Sequence, residues 1–223
     1  MSAMSDEEIQ RLVLEELRWD PEVEPTDVGV EVDKGVVTLT GTVESYTMKM
    51  AAERAAKRVE GVKAVANDIK VKLPFESTRT DTDIATAAIN TLSWDTRIPA
   101  DKIKVTVRDG WLTLEGEVNW HYQKTAAEDD VRGLWGVKGV SNLIKVREAV
   151  TKPSPAEIRA RIEEAFERSA QLDAKRINVD VRDGKVILSG TVRAWAERKE
   201  AEDAAWSAPG VTDVEDRIEV APQ

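Results

Sequence analysis

Asp33-Lys34-Gly35-Val36-Val37-Thr38-Leu39-Thr40-Gly41-Thr42-Val43 decides how this chain is read, because it returns twice. Its second copy is Arg108-Asp109-Gly110-Trp111-Leu112-Thr113-Leu114-Glu115-Gly116-Glu117-Val118, and its third is Arg182-Asp183-Gly184-Lys185-Val186-Ile187-Leu188-Ser189-Gly190-Thr191-Val192. The sequence downstream repeats in the same register. Gly61-Val62, Val65, Asn67, Ile69 and Val71 recur as Gly136-Val137, Val140, Asn142, Ile144 and Val146, then as Gly210-Val211, Val214, Asp216, Ile218 and Val220. A fixed offset sustained across two blocks is the mark of tandem units. The units span residues 1–75, 76–150 and 151–223.

Each unit obeys one grammar. Ser5 and Glu8 make a capping-box signature ahead of Ile9, Leu12, Val13 and Leu17 at helical spacing; Ile84, Ala88 and Leu92 form the same stripe in unit 2. In unit 3, Ser154 caps, Pro155 takes the first helical position, and Ile158, Ile162 and Phe166 follow. Val28, Val30 and Val32 alternate as a strand, a short Lys-Gly turn reverses the chain, and Val37 and Leu39 face the same way. Gly41, Gly116 and Gly190 are expected to end the second strand, where the chain bends into an Ala-rich helix carrying Ala52, Ala55 and Ala56. Gly61, Gly136 and Gly210 stand where that helix is capped, and a last strand follows. The fold class is α+β: three tandem αββαβ units, each a small three-stranded sheet with two helices packed on one face. The short connectors, residues 74–80 and 149–154, predict that neighbouring units touch.

Composition narrows the function. The 223 residues carry 32 basic and 42 acidic groups, a net charge of −10, and the pI is near 4.9. Nucleic acid is excluded as a partner on that balance, since binding it rests on neutralising phosphates. There is no Cys and a single His, His121, so disulfides, thiolate metal sites and His-rich metal centres are excluded. No metal, cofactor or catalytic residue is expected. His121 lacks the positioned partners of a general base and is read as a surface or packing residue, in a slot that holds Tyr46 and Trp195 in the other units. Glu128-Asp129-Asp130 and the acidic run from Glu22 to Asp27 lack calcium-loop spacing and read as solvated faces. No apolar stretch is long enough to span a bilayer and no signal peptide is written, so the expected compartment is the cytoplasm, or the periplasm for a chain whose leader has been removed.

The repeated pattern of Gly-x-Val, an Ala-rich helix and Gly-Val-x-x-Val-x-Asn-x-Ile-x-Val resembles the BON domain, named after bacterial osmotically induced and nodulation proteins. The resemblance covers nearly the whole chain in triplicate. It implies a non-enzymatic, transport-associated bacterial module of the envelope or of osmotic stress, able in several members to bind phospholipid surfaces. Two features depart from that pattern: the absence of a leader or lipobox, and Asp216 in place of the strand Asn.

Two sets of residues are candidates for contact surfaces. On the second helix of unit 1, Tyr46, Met50, Arg54, Lys57 and Arg58 form a basic–aromatic face suited to an anionic phospholipid surface or a membrane-associated protein, with Trp120 and Trp195 as further interfacial anchors. Trp111, Trp135 and Trp206 are candidates for packing between units, because the fold does not require an aromatic at those positions in the other copies. Against lipid docking stand the unit charges of −5, −2 and −3, which give no long-range attraction to an anionic membrane. The alternatives are a soluble cytoplasmic adaptor or stress protein that binds another protein, and a scaffold that self-assembles through its unshared Trp residues.

Overall fold

The computed structural model describes residues 4–23, 28–147, 153–170 and 172–221. Residues 24–27 of the first acidic run and residues 148–152 of the second connector lie outside them. Unit 1 comprises α1 (Asp6–Trp19), β1 (Val28–Asp33), β2 (Val36–Val43), α2 (Tyr46–Arg58), β3 (Ala64–Asn67) and β4 (Lys70–Val71). Unit 2 comprises α3 (Asp81–Trp94), β5 (Ile103–Arg108), β6 (Trp111–Val118), α4 (His121–Arg132) and β7 (Gly139–Val146). Unit 3 comprises α5 (Pro155–Arg168), β8 (Ile177–Arg182), β9 (Lys185–Val192), α6 (Trp195–Trp206) and β10 (Asp213–Val220). This is the α+β architecture read from the repeats.

The central strand of each sheet pairs antiparallel with the strand before it and parallel with the one after the second helix. In unit 1 the third strand is interrupted at Asp68-Ile69, so β3 and β4 lie one after the other along β2. Register sets the core face. Val30 pairs with Leu39, Val105 with Leu114 and Val179 with Leu188, and the central Leu of each pair is fully buried. Over this face lie Ile9, Val13 and Leu17 of α1 and the Ala51, Ala52, Ala55 and Ala56 surface of α2, all buried. Methyl-sized side chains let α2 sit close to the sheet while α1 supplies the volume. In unit 3 that volume includes Phe166, fully buried in a cluster with Ile158, Ile162 and Leu188.

Both residues of each hairpin turn have positive φ: Lys34 and Gly35, Asp109 and Gly110, Asp183 and Gly184. That is the mirror-image turn favoured by the twist of two-stranded hairpins. A carboxylate from the first helix holds it in two units. Asp6 accepts from the backbone N–H groups of Lys34 and Gly35 at 2.7 and 2.8 Å, and Asp81 accepts from Asp109 and Gly110 at 2.8 and 2.9 Å. Pro155 takes this place in unit 3 and offers no such acceptor. Asp81→Ala is expected to destabilise unit 2 by about 1–2 kcal/mol, the worth of two charge-assisted bonds at a partly wet site, measured as a lower urea midpoint with unchanged slope.

Gly41 lies inside β2, two residues before its end, at φ 121°, and Gly116 and Gly190 differ from the sequence expectation in the same way. Each lies inside its strand, two residues before the end, at φ 148° and 128°. A Cβ there would meet the carbonyl oxygen of Lys102 at 2.1 Å or of Arg176 at 2.0 Å. These glycines admit the close passage of backbone entering the first strand, and the chain turns toward the helix only later.

The repeated strand Asn bolts the second helix to the sheet. Asn67 Nδ2 donates to Lys49 O and Glu53 Oε2, and Asn142 Nδ2 to Lys124 O and Glu128 Oε2. Burial pushes the Glu53 carboxyl up, but the hydrogen bonds from Lys57 and Asn67 outweigh it and leave it below the usual range. In unit 3 the partners have changed together: Asp216 accepts from Arg198 Nε at 2.5 Å and, as Asn67 and Asn142 do, caps the N–H two residues on. The departure at Asp216 is thus a compensated exchange of an amide for an ion pair.

Candidate functional site

The second helices begin with Tyr46, His121 and Trp195, and all three side chains reach another unit, Trp195 while also packing on the core of its own. Tyr46 packs on the core cluster of unit 2, with Glu128, Arg132 and the Val140 backbone close to its phenol. Burial, reinforced by Glu128, raises the pKa of that phenol. Thr47 approaches Gly133 on the same side. His121 stacks on Trp206 of unit 3, ring centroids 3.9 Å apart and planes 10° from parallel. Trp195 packs on the core of unit 1, donates its indole N–H to Val62 O at 3.0 Å, and lies 5.2 Å beneath the Lys57 ammonium. Arg198 of its own helix covers the ring at 4.8 Å.

Lys57, Arg132 and Trp206 are the same position in the three repeats, as are Tyr46, His121 and Trp195. One pair of positions therefore meets at every joint: unit 1 on unit 2, unit 2 on unit 3, and unit 3 back on unit 1. Head-to-tail contacts of this kind close into a ring when the rotation permits, and three units suffice here.

This closure decides where the sequence-derived candidates lie. Tyr46 and Trp195 are half-buried in joints, and Lys57 is held by Glu53 at 2.6 Å and by the Trp195 ring. Arg54 pairs with Glu22 at 2.5 Å, and Arg58 bridges Glu16 at 2.6 Å and Asp20 at 2.7 Å. The Arg58 hydrogen bond holds the nearly buried Asp20 carboxyl below its usual pKa. The basic face is thus matched by acids of its own unit. Met50 lies half-buried on the same helix.

Of the candidates for packing between units, Trp206 forms the joint with His121. Trp111 stays in unit 2, its ring laid over Gly139 and its indole N–H donated to Ser141 at 2.8 Å. Trp135 also stays there, beneath the Arg79 guanidinium at 5.2 Å. Trp120 is exposed at the start of α4, where Gln123 accepts from its backbone N–H. With Tyr122, His121 and Trp206 it lines an open groove of about 590 Å³ between α4 and α6, rimmed by Arg97, Asp129, Lys199 and Asp203.

Trp19 and Trp94 hold the same position in units 1 and 2, and nothing in the sequence pattern gives them a role. They are the last residues of α1 and α3, and they stand 82% and 86% exposed. The equivalent last residue of α5 is Arg168. Among the described residues no group of three or more acidic or His side chains is placed to hold a metal, and no helix is long and apolar enough to cross a membrane.

The family model described as "BON domain" matches residues 5–72, 80–148 and 154–222. The chain belongs to the BON domain family. Two curated relatives share its sequence. Osmotically-inducible protein Y of Escherichia coli is 32% identical over 148 residues, covering 65% of this chain and 74% of its own length. Outer membrane lipoprotein DolP of Haemophilus influenzae is 34% identical over 113 residues, covering 50% of this chain and 58% of its own. Among solved structures, CdsD, a structural protein of the type III secretion system of Chlamydia trachomatis, aligns along 96% of this BON chain and 92% of its own. Identity there is 13% and the TM-score 0.28, too low for any feature to be carried across.

Proposed function

We propose that this chain is a non-catalytic bacterial binding module of the stressed cell envelope that docks on phospholipid surfaces. The observation that carries the reading is the pair Trp19 and Trp94, each more than four-fifths exposed at the same place in two repeats. An indole left bare twice at one position is poorly explained by packing, and its amphipathic ring favours the lipid headgroup region. Arg168, at the third equivalent position, lies 3.8 Å from Glu164 of its own helix, so the two indoles alone supply the anchors of this reading. The names of the relatives support the setting: one protein is osmotically inducible, the other an outer membrane lipoprotein. The paired state of Arg54 and Arg58 moves the site away from the basic face of α2 and toward the ends of α1 and α3.

Co-sedimentation with vesicles of phosphatidylglycerol and phosphatidylcholine tests this. The wild-type chain is expected to bind with a blue shift of Trp emission. Each of Trp19→Ala and Trp94→Ala is expected to weaken binding by about tenfold, the order of a buried aromatic anchor. Unchanged binding in the double variant rejects the site. A wild-type chain that binds neither vesicle rejects lipid docking and favours the adaptor reading, in which the acidic surface and net charge of −10 keep the protein soluble while it meets a protein partner.

A further inference from the structure

We propose that the joint between α4 and α6 is an acid-sensitive latch: protonation of His121 releases unit 3 from unit 2 and opens the ring. Two of the three docking positions carry side chains that stay neutral near pH 7, Tyr46 and Trp195; the Trp195 indole donates to backbone of the next unit and the Tyr46 phenol lies against the Val140 backbone. The third carries the only His of the chain. Its imidazole lies flat on Trp206, and among the described residues neither His121 Nδ1 nor Trp206 Nε1 has a hydrogen-bond partner, though both atoms are shut off from solvent. Buried polar atoms without partners make this the least satisfied of the three joints.

The charges facing His121 do not welcome a second proton. Lys124 on its own helix and Lys199 on α6 both oppose it, and only Asp203 of α6 favours it. Asp203 is already paired with Lys199. At the rim of the groove Asp129 is paired with Arg132, and Arg97 with Asp95 and, more distantly, Asp130. Among the described residues, the carboxylates of the groove, Asp203 and Asp129, are thus both taken up by cations before the imidazolium forms. An imidazolium over the indole face recovers some energy as a cation–π contact, but its Nδ1 proton would still be enclosed without an acceptor.

Burial, with Lys124 and Lys199 adding to it, pushes the His121 pKa from 6.5 down to about 4. Once the joint opens, the ring is in water and returns toward 6.5. Between those values the open form binds more protons than the closed one, so acidification favours opening. The closed joint is at full strength above about pH 6.5. Below that it weakens by at most about tenfold per pH unit, less for a ring that solvent partly reaches.

A single His gives a single imidazole signal in the carbon–proton NMR spectrum of the intact chain. The absence of Cys allows dyes to be placed by Glu117→Cys and Glu219→Cys, at exposed strand positions of units 2 and 3. Expected are an imidazole midpoint well below 6.5 and a fall in single-molecule energy transfer over the same pH range, with far-UV circular dichroism unchanged. His121→Tyr and His121→Phe keep a neutral ring for Trp206, and whichever preserves the neutral-pH transfer is expected to abolish its pH dependence. An ordinary midpoint overturns the latch, as does a low midpoint without a change in transfer. A change that persists in the neutral-ring variant, or that accompanies loss of secondary structure, overturns it equally.

Discussion

Gly190→Ala is expected to unfold unit 3 under conditions where the wild-type chain is intact. The new methyl group would lie 2.0 Å from the Arg176 carbonyl oxygen, and the residue would have to hold φ near 128°. Neither burden can be relieved by rotating a side chain, because the opposing atom is backbone of Arg176, the residue that leads into β8. Strain of this kind costs about 3 kcal/mol or more. A core of this size supplies only about 3–5 kcal/mol, so the loss is comparable to the whole stability of the unit. Urea unfolding of the full chain followed by circular dichroism should show a transition of roughly one third of the amplitude moving to low denaturant. Coincidence of the wild-type and variant curves would mean that β8 can shift away from β9 at little cost.

Trp195→Ala is expected to detach unit 3 from unit 1 while leaving both folded. It removes the indole that packs on the unit 1 core, the 3.0 Å hydrogen bond to Val62 O and the contact beneath Lys57. Loss of a partly buried Trp and its hydrogen bond should weaken the joint by about 2–4 kcal/mol. Trp195→Phe keeps most of the packing and should lose about 1 kcal/mol. Native-state hydrogen exchange separates the outcomes. Protection is expected to fall in α2 and α6, where the joint is made, and to persist at the centres of β2 and β9. A fall confined to unit 3 that reaches the centre of β9, with α2 unchanged, would make Trp195 a core residue of its own unit and not a joint.

The strands and helices of this fold were legible because they are local and written three times. A turn such as Asp109-Gly110 needs positive φ twice in succession, and the alternation of Leu112 and Leu114 fixes which face is buried. The joints were not legible, because their chemistry differs each time: Tyr46 beside Arg132, His121 on Trp206, Trp195 under Lys57. Only the positions repeat, and alignment of the repeats does not say that a helix start meets the helix end of another copy. The clamp of Asp6 and Asp81 on the hairpin turn was hidden for another reason. An acidic residue in the first turn of a helix is already accounted for by the helix dipole, so its second role has no separate signal. Exposure of Trp19 and Trp94 was equally silent, since a last helical residue can turn toward either the core or solvent. Arg54 and Arg58 suggested an open cationic face because their partners, Glu22, Glu16 and Asp20, lie 32 to 42 residues away in sequence.

The ring also gives a consequence to there being three units in it. Each unit offers one docking side chain at the start of its second helix and one receiving surface at that helix's end. Two units in line would leave one of each unfilled, and four would need a wider turn at every joint. At three, each of these docking side chains has its receiving surface within the same molecule, so none of the three pairs is left over for a second copy.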